Sequence, residues 1–405
     1  MLFLIFINDL TFQVQSSEVR LFADDTILYV IADNPSDSVD ALNSDLLNIQ
    51  TWADEWLVKF SPPKTKSLTI RKKKKDDPDP PPLIFGNTQV TEVTDHKHLG
   101  VTLTNDLSWG SHIENIVSSA GKCLDVLNAL KHILDRKTLE QVYKSFVRSK
   151  VEYASIVWDN CTREQSDLIE QVQYRAGKIV SGAIHRTSKE LVYQELGWFS
   201  LEERRSTQRL KVFHKIIHGK APVYLQDEVP VPNPTRENLR SQDDIPKIRG
   251  LVIYENTYIP RTICEWNELD NEIKTVENSE TFAQKLRSDI EIPKWYFQGD
   301  RLSNTWHARM RMKCSKLNDD LYSHIHVVDD PTCSCGYRRE TSKHFLLDCP
   351  LYTGERTQML FGLEQIGFKP TLKNLLFGNS SYTDELNCHA MDIVQQFIRS
   401  TERFV

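Results

Sequence analysis

The sequence predicts an α+β chain: an antiparallel hairpin sheet with a helix lying on it, then an all-helical bundle, then a small cysteine- and histidine-bearing tail. Three observations predict it. Apolar, β-branched and aromatic residues flank a tight Ala23-Asp24-Asp25 corner within Val19–Val30, which is how two short strands and a turn are written. From Trp109 to about Lys220 apolar residues recur at helical spacing. Near the C-terminus Cys333, Cys335, His344 and Cys349 follow one another as C-x-C-x8-H-x4-C, a set of soft donors that reads as one metal site.

A chain of 405 residues has room for two to four domains and a sizeable core. Hydrophobic residues make up 40% and charged ones 26%, as in an ordinary soluble protein. The net charge of -6 announces no nucleic-acid binder. Its distribution does: Gly121 to Lys220 holds 18 Lys and Arg against 12 Asp and Glu, a local excess of the kind a phosphate-binding face needs. The eight cysteines are mostly scattered, as in a reducing compartment. Met1 to Ile7 is apolar but lacks a basic start, so it makes a poor signal peptide, and it is too short to span a membrane. The expectation is a soluble intracellular protein, cytoplasmic, nuclear or both, without a membrane partner.

Taken in order, Leu2–Leu10 is an apolar segment that starts abruptly, as if cut from a longer reading frame. In the hairpin, neighbouring side chains point to opposite faces. Asp24 and Asp25 therefore cannot enter one site in the same way: one can ligate a divalent metal while the other lies beside it. Asn34-Pro35-Ser36 opens a helix whose stripe is Val39, Leu42, Leu46, Ile49, Ala53 and Trp56. Ser67–Ile70 reads as a strand. Arg71–Lys75 and Asp76–Pro82, basic then acidic and proline-rich, read as an exposed loop that contacts phosphates, serves as a localisation signal, or does neither. Short strands are expected around Gly86-Asn87 and over His98–Leu103.

Three helical stripes follow: Ile113 to Leu130, Leu139 to Tyr153, and Leu168 to Val180. In series they predict a bundle. Arg148, Lys150, Arg175, Lys178, Arg186, Arg204, Arg205, Arg209, Lys211 and Lys215 supply its basic character. Each alone suits a solvated helix face; as a set they suit a surface that holds nucleic acid. Val229–Ile245 reads as a linker, and Trp266 as a core residue. In the tail, three thiolates and one imidazole make a tetrahedral Zn2+ set. Free buried cysteines are the other reading. Arg309, Arg311, Lys313, Arg338 and Arg339 lie nearby in sequence.

Phe22-Ala23-Asp24-Asp25 resembles the (Phe/Tyr)-x-Asp-Asp box of reverse transcriptases. Leu2–Leu10 resembles the helix before that box in non-LTR retrotransposon polymerases, the jockey-like group in particular. The later pieces, Lys64–Lys66, His98–Trp109 and Cys333–Cys349, follow in the family's order. The resemblance implies half a polymerase palm over 1–108, a helical thumb or connection over 109–225, a linker with a short helical region over 226–300, and a zinc-knuckle module over 301–405. It implies an RNA-directed DNA polymerase using two Mg2+ ions, with Asp24 as a metal ligand and Asp25 assisting. Phe22 and Ala23 would lie beside the incoming nucleotide, Lys64 near its triphosphate, and Leu99 and Gly100 at the primer end. Lys64 reads equally as a solvated loop lysine, and Phe60-Ser61-Pro62 departs from the family's usual Leu-Asn. The partners implied are an RNA template, a DNA primer or duplex, and the upstream part of the same reading frame.

The family's other metal-binding aspartate belongs to a strand upstream of Met1, and Asp9 is a poor substitute. Two adjacent like charges without a third ligand leave most of magnesium's six positions to water. The expectation is therefore a chain that does not polymerise alone. The alternative is a non-catalytic nucleic-acid-binding remnant built on the basic helices and the knuckle.

Overall fold

The structure, a computed structural model, describes residues 2–71, 81–231, 244–287 and 291–404. The chain divides into two compact units, Met1–His112 and Ile113–Val405.

In the first unit, α1 (Leu2–Asn8) leads through a short 3-10 turn into a hairpin of β1 (Glu18–Phe22) and β2 (Asp25–Tyr29). The long helix α2 (Pro35–Glu55) follows. Asn34 precedes it in extended conformation and Pro35 fills the first helical position, where its missing N–H is no loss. The stripe on α2 buries Val39, Leu46, Ile49 and Ala53. One residue is corrected. The helix ends at Glu55, so Trp56 lies past its last turn and is 50% exposed, while Trp52 is buried in its place. The core joins Ile7, Leu10, Leu46, Ile49, Trp52, Phe85 and Val90, with Val19, Leu21 and Leu28 of the hairpin packed on it.

Asp45 is a polar residue inside this apolar face, fully buried. Its carboxylate accepts the N–H groups of Gln15 (2.9 Å), Ser16 (3.0 Å) and Ser17 (2.7 Å), and the Ser17 hydroxyl. Burial pushes the acid up, but these donors outweigh it and hold it below its usual range. The loop entering β1 is thus pinned to α2. Asp45→Ala would orphan three backbone N–H donors and one hydroxyl at a cost of about 2–3 kcal/mol. Thermal melting is expected to show the loss at neutral pH, and the wild-type advantage shrinks as acid protonates Asp45.

The remaining strands are short. The strand expected over Ser67–Ile70 is only β3 (Lys66–Ser67); β4 (Ile84–Phe85) pairs with β5 (Thr88–Gln89) around Gly86-Asn87. β6 (Thr91–Glu92) lies parallel to β3. β7 (Asp95–His98) and β8 (Val101–Thr104) form a second hairpin. The basic run Lys72–Lys75 and Asp76–Pro80 lie outside the described residues, as does most of the expected linker, 232–243.

In the second unit, α3 (Gly110–Leu130) buries Ile113, Ala120, Leu124 and Leu127. The single helix expected over Leu139–Tyr153 is corrected. It is α4 (Arg136–Val142), a π-helical turn (Tyr143–Arg148), and one further turn (Ser149–Glu152). The π turn shifts the phase of the stripe; Tyr143, Val147 and Val151 are buried while Phe146 and Tyr153 face outward. Next come α5 (Arg163–Ser181), α6 (Lys189–Leu196) and α7 (Leu201–Ile217). α5 and α7 each open on a capping box, Thr162 with Gln165 and Ser200 with Glu203. Trp266 of α8 (Tyr258–Asn267) is a core residue, packed with Phe213 of α7 and Phe282 of α9 (Ser279–Leu286).

The C-terminal segment holds α10 (Arg301–Arg311), α11 (Thr353–Gln365), α12 (Leu372–Phe377) and α13 (Asp384–Ser400). Metal bonds would not stand in for a missing core here. Trp306, Met310, Phe345, Leu363, Met391 and Phe397 belong to a core of 17 buried apolar residues. Arginines of α10 bind it to the bundle. Arg301 donates to the carbonyls of Ile179 and Val180, both at 2.7 Å, and Arg309 to that of Gly182 at 2.7 Å. Arg311 and Arg136 share the buried carboxylate of Glu195. Among the described residues no helix is long and apolar enough to cross a membrane.

Candidate functional site

The β1–β2 register pairs Phe22 with Asp25 and leaves Ala23-Asp24 as a two-residue turn. Ala23 takes φ +53°, a left-handed conformation that costs a residue with a Cβ about 1 kcal/mol or more. Residues directly opposite one another share a face. One face of the ribbon, Val19, Leu21 and Leu28, packs on the core. The other carries Arg20, Phe22, Asp25 and Tyr29. Phe22, Asp24 and Asp25 are all exposed, and neither acid makes an ion pair among the described residues. Two carboxylates therefore stand at the tip, one in the turn and one on the outer face, both open to a cation.

The β7–β8 hairpin turns at Leu99 (φ +45°) and Gly100 (φ +84°), the conformation of the tight turn that suits the twist of two strands. Beyond it the Thr104 hydroxyl donates to Asp106 (2.7 Å), which also accepts the Ser108 N–H (2.9 Å), shaping the entry to α3. Lys64 ends a single 3-10 turn and is exposed. The acids, Lys64 and the Leu99-Gly100 turn all lie in the first unit.

The basic residues divide. Arg205 and Arg209, placed by sequence on a nucleic-acid face, are buried, and this is corrected. Arg205 Nε donates to Asp159 (2.8 Å) and its Nη2 to Ser166 (2.6 Å); Arg209 pairs with Asp159 and Glu265. Burial of guanidiniums is tolerated only with such partners. Arg204 pairs with Glu152, and Lys211 Nζ with Glu280 (2.6 Å). Arg311 is buried against Glu195, and Arg339 pairs with Asp319. Lys150 and Arg175 are exposed, and Lys178 is half-buried over the Tyr174 ring. Arg148 is half-buried on the π turn.

The four tail residues converge. Ligand atoms of Cys333, Cys335, His344 and Cys349 all lie within 4.8 Å of one another. The Cys333 and Cys349 sulfurs are 3.8 Å apart, and Cys335 Sγ is 3.3 Å from His344 Nε2. A tetrahedral ion with metal–sulfur bonds of about 2.3 Å sets two sulfurs about 3.8 Å apart, so the donors fit a metal and are too far apart for a disulfide.

The surrounding chain fixes them. The Gly336 N–H donates to the Cys333 carbonyl (2.8 Å), with Gly336 at φ +86°, and the Cys333 N–H to the Tyr337 carbonyl (2.9 Å). His344 starts a π-helical turn at whose end the Cys349 N–H donates back to the His344 carbonyl (2.7 Å). The Tyr337 ring stacks on His344 at 4.4 Å. Burial pushes the Cys333 thiol up to about 12 and raises Cys349; a bound cation is what would hold such thiols ionised. Sequence reasoning missed the outer layer. Glu340, nearly fully buried, accepts two donors of Arg403 (2.7 and 2.6 Å) and the Asn318 N–H (2.8 Å). Arg356 donates to the carbonyls of Leu346 (3.1 Å) and Cys349 (2.6 Å). Arg356 lies seven residues past Cys349, whereas Arg403 is 63 residues from Glu340.

The first unit thus carries an exposed acid-tipped hairpin and the second a Cys3His cluster. The chain is 23% identical over 349 residues to the "Retrovirus-related Pol polyprotein from type-1 retrotransposable element R1" of Bradysia coprophila, a match over 82% of this chain and 31% of that protein. It is 24% identical over 168 residues to the "RNA-directed DNA polymerase from mobile element jockey" of Drosophila funebris, 41% of this chain and 18% of that protein. Its homologues are thus non-LTR retrotransposon polyproteins, and the match spans less than a third of each. No family model and no solved structure matches the chain.

Proposed function

We propose that the chain is the C-terminal part of a non-LTR retrotransposon reverse transcriptase: half a palm, a helical thumb or connection, and a zinc-bearing module. The observation that carries this is the β1–β2 ribbon, which presents Asp24 and Asp25 to solvent at a two-residue turn, taken with the two relatives. In this reading Asp24 ligates Mg2+, Asp25 assists, and Phe22 and Ala23 border the nucleotide. Magnesium, when bound, would neutralise developing charge on the transferred phosphoryl group. Lys64 is free to reach the triphosphate, and the Leu99-Gly100 turn brings bare backbone to the primer end. Template RNA and primer DNA lie along Lys150, Arg175 and Lys178. The Cys3His cluster holds Zn2+. A binding-only remnant is less well supported, because Arg205 and Arg209, on which it leaned, are spent on internal pairs.

Among the described residues the one group of three or more clustered metal donors is the Cys3His set. Asp24 and Asp25 therefore have no third ligand there, and two-metal chemistry needs one. Primer extension on an RNA template with Mg2+ tests both statements. The chain alone is expected to give no product. Joined to the upstream segment of a homologous polyprotein it is expected to extend the primer, and Asp24→Ala to abolish extension. Robust synthesis by the chain alone would refute incompleteness; synthesis by the joined protein indifferent to Asp24→Ala would refute the role of the hairpin.

A further inference from the structure

The second unit holds a cavity of about 290 Å³ lined by residues of α4, the π turn, α5 and α7, the turn between α6 and α7, and the segment before α10. One side is cationic: Lys144 and Arg148 from the π turn and Arg204 from α7. The lining also includes the apolar Leu196, Trp198 and Phe297. Trp198 is held there, stacked on Tyr143 at 4.2 Å and donating its indole N–H to Glu140 at 3.1 Å.

The cations are not balanced. Lys144 pairs with Glu140 at 2.6 Å. Arg204 takes both oxygens of Glu152. Arg148 is left with the same Glu152, its Nε 3.9 Å from a carboxylate oxygen that Arg204 already holds, a distance beyond hydrogen bonding. The Arg148 side chain makes no hydrogen bond among the described residues, though it is only 25% exposed. Burial, then the neighbouring Arg204, disfavours its charge. A half-buried guanidinium sharing a spent carboxylate is a ready anion partner. It also sits on a π-helical turn, a local departure from the α-helix that recurs at functional sites.

We infer that this cavity binds a phosphate ester with a flat aromatic body: the phosphate on Arg148 and Lys144, the ring against the Trp198 and Phe297 wall. Nucleoside monophosphates, free or as the end of a strand, have this chemistry. Its volume lies at the lower end of small-ligand sites. The inference does not depend on the hairpin or on polymerase activity.

Calorimetric titration of the whole chain with AMP and with inorganic phosphate tests it. AMP is expected to bind, and more tightly than phosphate. Arg148→Gln is expected to weaken AMP at least about tenfold, as loss of one charge-assisted contact does, with circular dichroism unchanged and the melting midpoint moved little, because the Arg148 side chain has only a long, shared contact with Glu152. Lys144→Gln should weaken it less. A 5′-phosphorylated dinucleotide that competes with AMP assigns the site to a strand end; failure to compete assigns it to a free nucleotide. No AMP binding, or binding indifferent to Arg148→Gln, overturns the inference.

Discussion

Glu195→Ala is expected to be the most damaging single substitution in the second unit. Glu195 Oε1 accepts Arg136 at 2.5 Å and Arg311 at 2.6 Å, Oε2 accepts Arg311 Nε at 2.9 Å, and the Glu195 carbonyl accepts Arg136 at 2.6 Å. All three side chains are at most 3% exposed. Burial pushes the carboxyl up, but the two guanidiniums win and hold it below its usual range. Removing the acid leaves two cations in the interior, a change that costs about 3–5 kcal/mol. The melting midpoint should fall by roughly 10 °C for a unit of this size. Adding Arg136→Met and Arg311→Met to Glu195→Ala should recover much of the loss, since apolar residues of similar volume replace buried ion pairs well. A single variant as stable as the wild type would mean that α10 does not dock through this triad.

The second large effect is on the metal. The purified chain is expected to carry one zinc ion, and Cys349→Ser to lose it. Zinc binding in small fingers is worth about 10–16 kcal/mol because nothing else folds them. Here Phe345 and Leu346, between two ligands, already belong to a core of 17 apolar residues, so the loss should be several kcal/mol and local. Atomic emission should report the metal. Limited proteolysis should show new cleavage within 331–349 while α11 and α13 stay protected. A metal-free chain that resists cleavage there would remove the cluster as a zinc site.

What could be read beforehand follows the range of the interactions. The ribbon and the Leu99-Gly100 turn are local, and so were visible as an acid-tipped corner and a turn dipeptide. The four donors of the Cys3His cluster lie within 17 residues, close enough for spacing to bring them together. α2 was legible except at its end, where nothing in Trp52–Trp56 says which tryptophan turns inward. The ion pairs were not legible. Lys and Arg usually stand in water, and the carboxylates that hold Arg205 and Arg209, Asp159 and Glu265, are some 46 and 56 residues away. A signal was present nonetheless: Leu201, Arg205, Arg209 and Phe213 fall at four-residue steps on one face of α7, so two charges interrupt an otherwise apolar stripe. Asp45 on α2 is the same kind of interruption, an acid beside Leu46 in the buried stripe.

α10 does more than fill space. Its arginines end on the carbonyls of α5 and on Glu195 of α6, so the cysteine cluster is mounted on the same frame as the cavity beside the π turn. Neither can swing on a tether independently of the other. Whatever the Cys3His loop would grip meets the bundle at a constant bearing, and the spacing between that loop and the cavity acts as a ruler rather than a leash.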